Sequence, residues 1–196
     1  MSTKVDPRNL FRESEIVRLY RTADRPRDMI ALRLLFDLAI RRDALRLFRL
    51  EDYDAGERTA TFHWKGGGGH TLPVGDELAF LLEQHKPAVG YLLYPEKVAG
   101  LPHKRRTLWE DRNRPLSRTA LHMWWRRRLE EAGLPHRRMH DARHTAITRF
   151  LRQTGDLPLA QLLAGHQNAN TTVSTYGHLN IHDLARKMSE IPAIGG

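Results

Sequence analysis

The chain has 196 residues, of which 40% are hydrophobic, enough for one domain with a sizeable core. Its 32 basic and 23 acidic residues leave a formal net charge of +9, with eleven histidines besides, and the natural partner of such a chain is a polyanion, nucleic acid ahead of an anionic membrane surface. Cysteine is absent, which excludes disulfides, thiolate zinc sites and cysteine nucleophiles, and no apolar run approaches the length of a membrane span.

The elements follow in chain order. Residues Met1 to Leu10 read as a polar arm, and Ser14 to Arg21 as a short helix. Asp28 to Ala39 (DMIALRLLFDLA) is an apolar helix with near-continuous burial, running into the basic stretch Arg41-Arg42-Asp43. Thr59 to Trp64 and His70 to Val74 are two strands of a β-hairpin, joined by Lys65 and four glycines. Asp76 to His85 is a helix that Asp76 caps. Lys86 to Pro115, with four prolines and the cluster HKRR, reads mainly as loop around one apolar piece, Tyr91 to Tyr94. Ser117 caps a helix to about Ala132 that stops at Gly133. Helices are then expected over His140–Gln153, Leu159–Leu163, Thr171–His178 and Asp183–Glu190. The fold class is α+β, mainly helical with a small antiparallel β-sheet, and no inter-domain linker is visible. Obvious internal repeats are missing.

The segment MHDARHTAITRF carries the chemistry. On a helix His140, Arg143 and His144 share one face. The pattern is close to the zinc motif H-E-x-x-H, and a histidine-based metal hydrolase is one reading. Against it, a guanidinium among the ligands repels a divalent cation, and Asp141 is shorter than the Glu that acts as base in zinc proteases. The same groups suit a phosphate. Arginine offers a fork of donors to two oxygens, and histidine adds a donor or a proton acceptor. The bland reading makes the histidines ordinary surface or core residues.

Three further segments give the motif company: LAIRRDALRLFRLEDYD, HWKGGGGHTLPV and LLAGHQNANTTVSTYGHL. An arginine, a lysine on a glycine-tipped hairpin, H-x-x-R, G-H and a tyrosine ten residues later follow in order. From about Ser14 to His178 the chain resembles the tyrosine recombinases, the phage integrase family. The resemblance implies that family's catalytic-domain fold and a site-specific recombinase that breaks and rejoins double-stranded DNA through a covalent 3′-phosphotyrosine.

It also implies the roles of individual residues. Arg41 takes the place of the first catalytic arginine. Arg42 competes for it, but Leu50, Asp52 and Asp54 keep the family's spacing from Arg41. Lys65 matches the hairpin lysine and is the candidate acid for the leaving 5′-oxygen. His140 and Arg143 match H-x-x-R, with His140 as candidate base, because a tyrosine of ordinary pKa near ~10 needs one. His166 matches the second histidine, a donor to the non-bridging oxygens that the two arginines bracket. Tyr176 matches the nucleophile. No metal and no cofactor is implied.

Some positions depart from the pattern. Ala44 stands where the family often has Glu, with Asp43 beside it, and Ala164 replaces the second leucine of L-L-G-H. A DNA-binding domain of the same fold with weak or no catalysis is therefore an alternative. His144 and His178 are read as structural, Trp125 or Trp124 as packed inward on a helix, and Arg126 to Arg128 as a solvated or phosphate-facing edge. Residues 1–196 are expected to form a single catalytic domain without the N-terminal clamp domain common in the family. The chain is expected to be a monomer alone and a tetramer on DNA, at the nucleoid in the cytoplasm of a prokaryote or encoded by a phage. The amphipathic tail after Tyr176 is expected either to dock on a neighbouring subunit or to fold back.

Overall fold

A computed structural model describes residues 7–64, 68–85, 89–99, 107–165, 181–192 and 194. Among them, α1 (Glu13–Arg21) opens on Glu15, whose carboxylate accepts from the Arg12 backbone N–H at 2.8 Å, and buries Ile16, Leu19 and Tyr20 on one face. Next, α2 (Pro26–Phe36) has Pro at its first turn, where the missing N–H costs nothing. Ile30, Ala31, Leu32, Leu34, Leu35 and Phe36 are all at or below 1% exposure, so this helix is apolar on every side. It packs against α1, α3 (Arg42–Leu47), α4 (Asp76–Gln84) and α6 (Met139–Thr154) and forms the centre of the core.

The sheet is antiparallel, in the order β1 (Tyr53–Asp54), β2 (Thr59–Trp64), β3 (Gly68–Pro73). Thr61 faces Thr71 and Phe62 faces His70 across the hairpin. Alternation sends Ala60, Phe62 and Leu72 inward, where Phe62 stacks on Phe48 at 5.2 Å, while the Thr61 and Thr71 hydroxyls bond on the open face at 2.9 Å.

Then α5 (Arg118–Glu131) starts at Ser117, whose hydroxyl accepts from the Ala120 N–H at 3.0 Å. It turns Trp125 inward at 1% exposure, with the indole N–H donating to the Arg137 carbonyl at 2.8 Å. Trp124 sits partly buried and donates to Asp28 at 2.7 Å. Two further helices, α7 (Leu157–Leu163) and α8 (Ile181–Ser189), complete the described fold. The mainly helical architecture with one small antiparallel sheet is the one expected from the sequence.

Several elements differ from their sequence-based bounds. The apolar helix ends at Phe36, not Ala39, because Ala39 turns into the left-handed region at φ 52 and hands the chain to α3. That helix, Arg42–Leu47, lies in what reads as a basic stretch. Gly75, not Asp76, is the N-cap of α4, and the Asp76 carboxylate pairs with Arg58 at 2.8 Å instead. Within the proline-rich segment, β4 (Glu96–Ala99) pairs with β5 (Thr107–Glu110). Arg27 and Arg112 lie over the two sides of the Tyr94 ring at 4.5 and 4.7 Å, and Arg27 pairs with Glu96 at 2.8 Å, anchoring that hairpin to α2. Arg126 and Arg127 are exposed and paired with Glu130 and Glu131, each at 2.7 Å. Arg128 is buried instead, donating to the Thr22 carbonyl and pairing with Glu131 at 2.8 Å. The helix expected over Thr171–His178 lies outside the described residues.

The tail folds back on its own domain. Helix α8 packs on β3 and α7, Leu184 and Ile194 are each 1% exposed, and Arg149 donates to the Pro192 carbonyl. Leu184→Ala should therefore lower the free energy of unfolding by ~2–4 kcal/mol, the usual cost of emptying a leucine site. Denaturant titration of the DNA-free protein measures this, and an unchanged midpoint would show that α8 does not serve this core.

Candidate active site

The site is built at two chain reversals. Leu38-Ala39-Ile40 links α2 to α3, and all three are buried. Arg41 caps α3 in extended backbone, which throws its side chain out of the helix into a cleft of about 830 Å³. On the far side, α7 ends at Ala164, and Gly165 reverses the chain at φ +52, a conformation a glycine adopts without strain.

These reversals meet through two guanidiniums. Arg143, on the second turn of α6, is 5% exposed and donates to the carbonyls of Ala39 and Ala164. Arg41 donates to the Gly165 carbonyl at 3.0 Å. The two arginines thus hold adjacent carbonyls of one turn. Burial, and then the charge of Arg41, lower the Arg143 pKa to about 10, so it remains a cation at neutral pH. Arg42 lines the same cleft, 3.5 Å from the Asp43 carboxylate. The geometry supports Arg41 rather than Arg42 as the partner of Arg143.

His140 lies one turn before Arg143, exposed on the same cleft. Its ring meets His144 edge-on at 4.2 Å. Burial lowers its pKa, His144 and Arg143 push it the same way, and Asp141 opposes them. A neutral imidazole results, able to accept a proton. His144 is lowered as well, by burial first, so the residue read as structural supports His140 directly. Lys65, His166 and Tyr176 lie outside the described residues, although Gly165 ends the turn from which His166 follows and β2 ends one residue before Lys65.

Asp43 stands next to the position where the family often carries Glu, and lines the same cleft. It takes Arg118 by both oxygens, at 3.1 and 3.2 Å, and Arg42 at 3.5 Å. Burial raises its pKa, but Arg118 and Arg42 outweigh that and leave it lowered. Among the described residues no three His, Cys, Asp or Glu side chains gather as metal ligands. Sequence reasoning passed over His70, which lines the same cleft. The signal was available: His70 is two residues before the core residue Leu72 on a strand, hence on the inward face.

An arginine pair set on a glycine turn, beside a histidine one helical turn away, defines a basic cleft in a mainly helical α+β domain. The chain belongs to the phage integrase family, whose model matches residues 9–182. It is 29% identical over 161 residues to the tyrosine recombinase XerC of Actinobacillus pleuropneumoniae serotype 7 (strain AP76), covering 82% of this chain and 50% of that protein. In structure it is similar to the integrase from mycobacterium phage Brujita, with a TM-score of 0.73 at 20% identity, covering 98% of this chain and 60% of that one. It is also similar to XerA recombinase, with a TM-score of 0.65 at 21% identity, covering 95% and 64%. The chain spans about half the length of the first of these relatives.

The histidines set a pH dependence. His70, His85, His140 and His144 are all lowered, each by burial first. A histidine whose folded pKa lies below its unfolded value of about 6.5 is neutral in both states at higher pH, so it costs nothing there. As pH falls below that value the unfolded chain takes up protons that the folded chain refuses, and stability drops. The melting temperature should therefore fall steadily from pH 7.5 to 5.5, and His140→Gln should flatten the slope. A melting temperature that rises over that interval would contradict the direction.

Proposed function

We propose that this chain is the catalytic domain of a site-specific recombinase that cuts and rejoins double-stranded DNA by transesterification. The observation that carries the reading is the pair Arg41 and Arg143 on adjacent carbonyls of one turn, with neutral His140 beside them. Two fixed guanidiniums fit the two non-bridging oxygens of a phosphodiester. Charge grows on those oxygens as the phosphorus becomes five-coordinate, and donors already in place need no reorganisation. Membership of the phage integrase family and similarity to proteins named tyrosine recombinase support the same reading.

In this reading the Tyr176 oxygen attacks phosphorus while His140 takes its proton. The bond from phosphorus to the 5′-oxygen breaks, and Lys65 protonates the leaving oxygen. His166 adds a donor to the phosphate. The 3′-phosphotyrosine keeps the energy of the broken ester, so a second strand's 5′-hydroxyl reverses the step with no external energy source. Neither metal nor nucleotide takes part. Residues 1–196 act as one catalytic domain that is a monomer alone and assembles as a tetramer on DNA, in the nucleoid of a prokaryotic or phage-infected cytoplasm.

Tyr176→Phe tests the reading. On a nicked suicide duplex the wild type should form a denaturation-resistant adduct and the variant none; an adduct that persists in the Phe variant removes Tyr176 as nucleophile. Arg41→Ala should slow adduct formation by on the order of 10²–10³-fold, the effect of losing one preorganised oxyanion donor. Its DNA affinity should change far less, because affinity is spread over many basic residues. Arg42→Ala should leave cleavage near wild type, and the reverse ranking would move the catalytic register by one residue. Chelators should not alter the cleavage rate; strong inhibition would return HDARH to a metal role.

A further inference from the structure

His70 takes no part in the scheme above. It lies on β3 opposite Phe62, five residues beyond Lys65. Its Nε2 is buried and finds no hydrogen-bond partner among the described residues. Burial lowers its pKa; Arg41 and Arg143 push in the same direction, and backbone hydrogen bonding at Leu163 and Leu162 opposes. At neutral pH the ring is uncharged, which spares the two guanidiniums a third cation at close range.

What the ring touches is Gly165. A Cβ on Gly165 would lie 2.9 Å from His70 Cδ2 and 3.2 Å from Nε2, closer than side chains pack. The imidazole therefore occupies the space that a side chain at Gly165 would need, one residue before His166 in the sequence. The same two-residue turn supplies the carbonyls that hold Arg41 and Arg143. Side chains from three elements converge there: one from β3, one from the link between α2 and α3, and one from α6.

We propose that His70 is a positioning residue. Its ring clamps the Ala164–Gly165 turn against the hairpin. The clamp fixes the two carbonyls that aim Arg41 and Arg143, and it ties the strand leading from Lys65 to the turn leading into His166. The flat imidazole fits over a glycine where a branched side chain would not, and Gly165 leaves the space that the ring fills. Each residue requires the other. The inference rests on the recombinase reading of the cleft and adds to it a steric coupling between its two halves.

A cycle of His70→Ala, Gly165→Ala and the double variant tests it, read by single-turnover adduct formation on a nicked suicide duplex, by binding to the same duplex, and by melting temperature. His70→Ala should slow adduct formation about tenfold or more, because small misplacements of reacting groups are costly, with DNA affinity within about twofold of wild type. Gly165→Ala should be slower still, since its methyl meets the ring and its φ of +52 strains any side chain, the second cost being shared by the double variant and so cancelling from the coupling. The double variant should react faster than Gly165→Ala alone, the methyl occupying the space the ring vacates. His70→Phe should recover most of the wild-type rate, because a clamp needs a flat ring and not a nitrogen. Additive effects in the cycle, a silent His70→Ala, or a Phe variant as slow as Ala would each overturn the clamp. If the wild type forms no adduct, the recombinase reading fails separately. The melting cycle on the same four proteins then decides the contact: coupling upholds the clamp and additivity overturns it.

Discussion

Everything around the cleft depends on burying the charge of Arg143. A guanidinium taken out of water is costly unless its donors find fixed acceptors. Here the acceptors are the carbonyls of Ala39 and Ala164, at the ends of two helices far apart in sequence. Each carbonyl is displayed by a chain reversal, one of which, at Ala39, holds a non-glycine residue at φ 52. Such a conformation survives only where surrounding contacts over-determine it. The arginine and the two reversals stabilise one another, so folding itself places the guanidinium donors of the cleft.

The rest of the charge is arranged around that constraint. Away from the cleft, exposed arginines are matched with acids: Arg126 and Arg127 each meet a glutamate one turn on. Exposed pairs of this kind contribute little stability, but they cancel field. In the cleft, Asp43 is the one acid among the described lining residues, and Arg118 engages it. The described residues around Arg41 and Arg143 are therefore mostly basic, and a concave wall concentrates their field.

What could be read from the sequence follows from what sequence encodes locally. The apolar α2, the alternating hairpin and the Ser117 cap each carry their signal within a few residues, and each formed, the first two with bounds shifted by two or three residues. Helix α3 did not announce itself, because six residues around two arginines have too little apolar periodicity to register. The hairpin β4–β5 hides among prolines and basic residues and is held by distant arginines, Arg25 and Arg27 on Glu96. The same split runs through the site. His140 and Arg143 declare a shared face by helical spacing, whereas the role of His70 requires knowing that Gly165, ninety-five residues later, lies beneath it. Lys65, His166 and Tyr176 are known from their order in the chain alone.

The departures from the family pattern then become intelligible as one arrangement. A glutamate beside the first arginine would give the buried cation an ionic partner. In this chain that position is Ala44, 6% exposed, and the neighbouring Asp43 is committed to Arg118 across the cleft rim. Arg143 is instead held by neutral carbonyl dipoles, which orient it without cancelling its charge. Its lowered pKa records that it has surrendered water without full repayment. A phosphodiester entering the cleft would supply the missing negative charge, and would supply more of it as the proposed displacement proceeds. Holding the cation by carbonyls makes the turn that displays them correspondingly important, since a shift at Ala164 or Gly165 moves both arginines at once. A rigid ring pressed on a glycine is a compact way to prevent that shift.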